Sequence, residues 1–121
     1  MEPKKTLVIG ASANPSRYSY LAVKKLSAHQ HPVIALGIKK GAIGNTEIET
    51  DKKPFEQIDT ITLYINPTRQ KDYYDYILGL QPKRIIFNPG TENDELSMLA
   101  SQKGIKAIEA CTLVLLSTGQ Y

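Results

Sequence analysis

The sequence has a single cysteine, Cys111, and two histidines, His29 and His31. A lone thiol forms no internal bridge, and one cysteine beside two nearly adjacent histidines makes no zinc site, so no metal or disulfide staple is expected. No apolar run approaches the ~20 residues that span a bilayer, and Met1 to Lys5 is polar rather than signal-like. These absences point away from the membrane and toward the reducing cytoplasm as the expected compartment. Strong charge of one sign is also missing. The net charge is +3, too small for the broad basic footprint of a nucleic-acid binder. What excess there is lies in residues 1–60, with 9 Lys and Arg against 6 Asp and Glu, where Arg17, Lys39 and Lys40 fall near turns. That placement favours a local anion site.

What is present is an ordinary globular composition, 41% hydrophobic and 22% charged over 121 residues, enough for one domain spanning 1–121. A domain of this size buries roughly 65% of its unfolded surface and holds together on its core alone. Five short apolar runs recur: Leu7–Ile9, Val33–Leu36, Ile61–Ile65, Ile85–Phe87 and Ala107–Ile108. Most are continuously apolar, as strands buried on both faces of a parallel sheet are. Between them the spacing is helical. Tyr73, Ile77 and Leu80 share a face, as do Leu96, Leu99 and Ala100, and a first helix is expected over about Tyr18–Ala28.

Turn chemistry sets the expected boundaries. Thr68 is expected to cap a helix starting near Arg69, and Thr91 with Asp94 to form a capping-box variant. Gly104 closes the helix that follows, and Pro32 and Pro82 precede strands. The stretch from Gly37 to Thr60 is too polar and glycine-rich for a crossover helix. A loop or small hairpin near Gly41–Thr50 is expected there, with a helical turn near Pro54–Ile58. The fold class read from this pattern is α/β, an open parallel sheet of about five strands with right-handed crossovers and helices on both faces.

In such a sheet, ligands bind beyond the carboxyl ends of the strands. Four loops then become candidates together. The first, Gly10-Ala11-Ser12-Ala13-Asn14-Pro15-Ser16-Arg17-Tyr18-Ser19, opens a helix whose free N–H groups suit a phosphate. Ser12, Asn14 and Ser19 add neutral donors and Arg17 a fork-shaped cation. After the second strand, Lys39 and Lys40 stand where an NAD site would carry an acidic residue. They favour an additional phosphate, as on NADP or on the ribose of coenzyme A. Asn66 and Pro67 open the next loop, and Asn88, Pro89 and Gly90 the last; their capping and turn roles are expected in any case.

Together these loops resemble the bacterial family of small stand-alone CoA-binding proteins. They are similar to the N-terminal CoA-binding domain of the succinyl-CoA synthetase alpha subunit. The matching text is VIGASANPSRYSY, the stretch from Ile43-Gly44 to Ile48, INPTRQKDYYDYILGLQPKRIIFNPGTENDEL and EACTLVLLSTGQY. The resemblance implies a Rossmann-like domain with strand order 3-2-1-4-5. It implies CoA phosphates held by Ser12, Asn14, Arg17, Tyr18 and Ser19 on the turn of Gly10 and Ala11. Lys39 and Lys40 would meet the phosphorylated ribose, and Asn66, Pro67 and Asn88 to Gly90 would line the adenine and pantetheine path. The first loop departs from the synthetase's more glycine-rich turn. The synthetase's ligase domain and its phosphorylated histidine have no counterpart in the sequence.

No catalytic constellation stands out. His29 and His31 fall near the end of the first helix, on the side of the sheet away from the proposed site, and Cys111 reads as a half-buried structural thiol. Of the clustered tyrosines, only Tyr18 is expected to border a ligand. The reading is binding of coenzyme A or an acyl-CoA without catalysis. An NADP-linked oxidoreductase, or a subunit of one, is the alternative, and a ligand-free interaction scaffold the third. The apolar run Thr112–Leu116 is expected to pack over the sheet; exposed, it would instead mark a homodimer or partner contact.

Overall fold

The computed structural model describes residues 2–121. In chain order the elements are β1 (Thr6–Ile9), α1 (Tyr18–Ala28), β2 (Val33–Leu36), β3 (Ala42–Ile43), β4 (Thr46–Glu49) and β5 (Thr60–Leu63). The second half holds α2 (Pro67–Gln70), a 3₁₀ turn (Lys71–Tyr73), α3 (Tyr74–Leu80), β6 (Arg84–Phe87), α4 (Asp94–Gln102), β7 (Lys106–Glu109) and α5 (Thr112–Ser117). None of these helices is long and apolar enough to cross a membrane.

β1 lies in the middle because every one of its side chains is apolar or a threonine whose hydroxyl is hydrogen-bonded, to the Lys4 carbonyl and to Tyr121. All four are buried, and β1 pairs in parallel with β2 on one side and β5 on the other. The sheet order is β3-β4-β2-β1-β5-β6-β7, parallel except for the β3–β4 hairpin. Alternation of side chains along the strands splits the core into two layers. Leu7, Ile9, Ile61, Leu63, Ile85 and Phe87 meet Ile77 of α3 and Leu96 and Ala100 of α4. Val8, Ala35 and Ile86 meet Val23 and Leu26 of α1 and Leu116 of α5. The α/β class with helices on both faces is therefore as expected; the strand count and order are not. Among the described residues there are seven strands rather than about five, and the Ile61 strand, expected at the edge beyond β2, sits directly beside β1. Its expected place is taken by β4, the second arm of the hairpin near Gly41–Thr50, which pairs in parallel with β2 through Ala35–Ile48 and Leu36–Glu49. A strand at the margin of the sheet, paired with β2 over two residues and with the two-residue β3, needs no continuous apolar run, and Thr-Glu-Ile-Glu has none.

Three local expectations also change. Asn66, not Thr68, caps α2, its Oδ1 accepting from the Arg69 N–H at 2.9 Å, with Pro67 at the first helical position. Asn93, not a Thr91–Asp94 box, caps α4 through the Leu96 N–H. Thr91 instead donates to the Asn88 carbonyl. The helical turn near Pro54–Ile58 is absent; that stretch is bend and irregular chain.

At the amino ends of the strands, His31 is buried and accepts the Lys4 N–H at Nδ1, 2.9 Å. Its ring lies 4.8 Å from that of Tyr121, which bonds Thr6 and carries the Arg84 guanidinium on its face. The tail after α5 thus folds back on the sheet with Tyr121 buried; within α5 itself Leu116 is buried and Val114 exposed.

Candidate functional site

Sharp turns at the carboxyl ends of β1 and β2 create the site. The Gly10 and Ala11 N–H groups both donate to the Leu36 carbonyl at 2.9 Å, folding the chain out of the sheet immediately after β1. Gly10 sits at φ +96°, and a Cβ there would meet Ile65 and the Tyr64 backbone at 2.9–3.0 Å, so only glycine fits. Gly37 closes the opposite side, where a Cβ would stand 2.3 Å from the Ala11 carbonyl oxygen. The two loops pass each other at backbone contact.

Beyond these turns a groove of about 800 Å³ runs across the carboxyl ends of β2, β1, β5 and β6. Gly10, Ala11, Ser12, Asn14, Arg17, Tyr18 and Ser19 line it from the first loop. Lys39 and Lys40 line it after β2, Asn66 after β5, and Pro89 and Gly90 after β6. Of the residues singled out from sequence, the structure does not bring Pro67 or Asn88 to the wall. Pro67 is the first residue of α2. Asn88 is turned inward and buried, its Nδ2 donating to Thr62 Oγ1 (2.6 Å) and the Leu63 carbonyl (2.8 Å) while Oδ1 accepts the Thr112 N–H (2.9 Å). It fastens α5 to the sheet one residue before the groove.

The first loop is organised by its own side chains. Ser12 Oγ accepts the Asn14 N–H at 3.1 Å, and Asn14 Oδ1 accepts both the N–H and the hydroxyl of Ser16 at 3.0 and 2.8 Å. This turn delivers the chain into α1, whose first residue is preceded by Arg17 with no side-chain cap. The opening amides of an uncapped helix of 11 residues are thus left for an external acceptor, with the dipole favouring negative charge.

Several wall residues were missed from sequence: Ala13, Ser16, Ile65 and Thr91 lie within or beside the loops already singled out, and three others escaped for different reasons. Arg69 was visible within Asn-Pro-Thr-Arg, but nothing in the spacing told which way it faces; it lines the groove. Ile38 and Tyr64 add an apolar floor and flank. The Tyr64 hydroxyl is buried near Thr62 and Thr112 without a hydrogen bond, and burial pushes its ionisation well above the ordinary phenol range. It is a neutral phenol at any physiological pH.

The far wall is held by a residue that drew no attention in the sequence. Gln70, fully buried, donates from Nε2 to the carbonyls of Ile65 (2.9 Å) and Thr91 (2.8 Å), tying the loop after β5 to the loop after β6. Its Oε1 accepts from Asn93 Nδ2 at 2.8 Å. Electrostatically the wall is one-sided: Arg17, Lys39, Lys40 and Arg69 line it, and among the described residues no Asp or Glu does. His29, His31 and Cys111 lie elsewhere.

A family model described as CoA binding domain matches residues 4–117. Among solved structures, that of an uncharacterized protein is 48% identical, with each chain covered over 100% of its length and a TM-score of 0.98. A hypothetical protein from Pyrococcus horikoshii OT3 is 22% identical, with 97% of this chain and 84% of that one covered and a TM-score of 0.86. A conserved hypothetical protein from Pyrococcus furiosus is 20% identical, with 92% and 97% covered and a TM-score of 0.80. The two archaeal structures share the fold. Comparison with curated proteins gives no match.

Proposed function

The chain belongs to the CoA-binding domain family, and from that premise we propose that its groove holds coenzyme A or an acyl-CoA without transforming it. The observation that carries the reading is the wall itself, with Arg17, Lys39, Lys40 and Arg69 and no carboxylate among the described residues. Coenzyme A brings a diphosphate and a ribose phosphate, and the groove offers each a separate place. The diphosphate meets the uncapped start of α1, where backbone N–H groups, Ser19 and Arg17 converge. Lys39 and Lys40, one strand over, take the ribose phosphate. The pantetheine arm passes Asn66 and the Pro89–Gly90 turn, whose backbone is open where the first loop's is crowded.

Binding without chemistry is favoured by the same wall. Histidine, cysteine and carboxylate, the usual proton carriers and nucleophiles, are not among the described residues lining it. The role is then that of a carrier, sensor or partner subunit.

Calorimetric titration with CoA, dephospho-CoA and NADPH tests this. CoA binds more tightly than dephospho-CoA by about tenfold or more, as a phosphate held by two ammonium groups requires. The double variant Lys39→Ala, Lys40→Ala brings CoA down to the level of dephospho-CoA. Absence of CoA binding up to millimolar ligand overturns the reading, and a preference for NADPH replaces it with a nicotinamide site.

A further inference from the structure

The connections that follow β1 and β5 diverge from a common point. These neighbouring strands pair from Thr6–Thr60 to Ile9–Leu63, and their exits touch: a Cβ on Gly10 would stand 2.9–3.0 Å from Ile65 and the Tyr64 backbone. From there the chain after β1 passes to α1, whose Val23 and Leu26 pack on one face of the sheet. The chain after β5 passes through α2 to α3, whose Ile77 packs on the other face. Adjacent connections that leave for opposite faces open a crevice between them. Arg17, the residue before α1, and Arg69, within α2, belong to its two sides, and both line the groove.

The charges of the proposed ligand require both sides. A ribose phosphate carries roughly two negative charges at neutral pH. The diphosphate carries two more, one on each phosphate. Lys39 and Lys40 match the first pair, and Arg17 by itself leaves the diphosphate one cation short. The remaining cation on the wall is Arg69. The protein does not occupy it: among the described residues its side chain takes part in no ion pair. Glu92, in the loop after β6, accepts the Gly90 N–H at 2.8 Å instead. The Arg69 backbone is fixed, because its N–H donates to the Asn66 cap at 2.9 Å, and the side chain is exposed. A guanidinium anchored at its root and free at its tip thus faces the crevice from the side opposite the α1 amides.

Resting on the CoA reading of the groove, we infer that Arg69 completes a two-sided clamp on the diphosphate. The opening amides of α1 and Arg17 hold it from one side, and Arg69 closes from the other with a fork that spans two phosphate oxygens, as an ammonium does not. Arg69 then recognises what all ligands of this class share, the linked pair of phosphates, and is indifferent to the ribose phosphate and to the arm.

Calorimetric titration of CoA, dephospho-CoA and ADP into the intact protein, Arg69→Gln and Arg69→Lys tests the clamp. Dephospho-CoA keeps the diphosphate and lacks the ribose phosphate; ADP keeps two linked phosphates and lacks the pantetheine arm. Arg69→Gln weakens all three by about tenfold, the scale of a partly exposed charge-assisted contact to phosphate. The preference for CoA over dephospho-CoA, set by Lys39 and Lys40, stays at its wild-type value. Arg69→Lys recovers part of the loss by keeping the charge without the fork, and the wild-type advantage shrinks as salt is raised. Unchanged CoA affinity in Arg69→Gln overturns the inference. So does a changed ratio of CoA to dephospho-CoA, which moves Arg69 to the ribose phosphate. ADP that fails to bind the wild type, or binds Arg69→Gln equally well, overturns it too, since the contact then depends on the arm. Failure of the wild type to bind CoA itself is a different result: it removes the reading of the groove, and this inference with it. Arg69→Gln leaves the helix cap in place, because the capping bond uses the backbone N–H, and an unchanged thermal midpoint without ligand verifies that the fold is intact.

Discussion

Replacing Gly37 by alanine adds a single methyl group at the most crowded point of the site. The new Cβ would stand 2.3 Å from the Ala11 carbonyl oxygen and 3.1 Å from Ile48 Cγ2, well inside contact distance. The oxygen is backbone, fixed because the Ala11 N–H on the same loop is bonded to Leu36, and Gly37 is itself bonded to Glu49. Relief therefore requires one loop to move off the other. Overpacking of this kind costs about 2–3 kcal/mol, toward the upper end because no flexible side-chain tip can yield. For a chain of this size that corresponds to a fall of roughly 10 °C in the thermal midpoint. Urea denaturation followed by circular dichroism measures it, and Gly79→Ala is the control. Gly79 lies within α3 with nothing within 4 Å of its added Cβ, so alanine there stabilises by about 0.5–1 kcal/mol through helix propensity alone. The same chemical change thus acts with opposite sign at the two positions. On the proposed reading CoA affinity also falls in Gly37→Ala, because the displaced partner is the first loop, to which that reading assigns the diphosphate. A Gly37→Ala protein within about 0.5 kcal/mol of wild type refutes the close approach of the two loops.

Asn88→Ala leaves Thr62, the Leu63 carbonyl and the Thr112 N–H short of a buried partner and lowers stability by about 3 kcal/mol in urea denaturation, whether or not CoA is present. Gln70→Ala strands the Ile65 and Thr91 carbonyls at a cost of about 2–4 kcal/mol, and hydrogen exchange rises in the loops after β5 and β6 together. Burial, then the charges of Lys4, His29 and Arg84, holds the His31 imidazole below its ordinary value of 6.5, outweighing the opposing pull of Asp59. The unfolded chain consequently takes up the proton first. Stability is full above pH 6.5, falls as the pH drops through the interval down to the lowered folded value, and then levels off. A pH series of urea midpoints shows this slope in wild type and its loss in His31→Gln; an identical slope in both variants removes His31 as its source.

The central strands and the helices packed on them were legible because burial on both faces forces unbroken apolar runs such as Leu7-Val8-Ile9 and Ile85-Ile86-Phe87. β4 was not, because it pairs with β2 over only two residues at the margin of the sheet, and Thr-Glu-Ile-Glu satisfies that with one buried isoleucine. Missing it displaced the Ile61 strand from its place beside β1. The helix starts were located to within a few residues, but asparagine rather than threonine does the capping, since either oxygen accepts the same N–H. At the site, the loops could be found from their position after strands, and the direction of each side chain could not. Asn66 and Asn88 both precede a proline, yet one faces the groove and the other is turned into the core. Gln70 was unreadable for a simpler reason. A buried glutamine between helical turns has no spacing signature, only the carbonyls it reaches.

The segment bearing Lys39 and Lys40 is staked at both ends. The Gly37 N–H donates to the Glu49 carbonyl, and the Gly41 carbonyl accepts the Ile48 N–H. The two stakes fall on the neighbouring residues Ile48 and Glu49 at the carboxyl end of β4, so the span between them is set by the hairpin's own register. Such a tether tolerates exchange of its side chains, and with it a change in which terminal phosphate or sugar is welcomed. It does not tolerate an added or deleted residue, which would shear β4 from β2. Divergence of ligand preference along this lineage should therefore proceed by substitution at positions 38–40, at constant length.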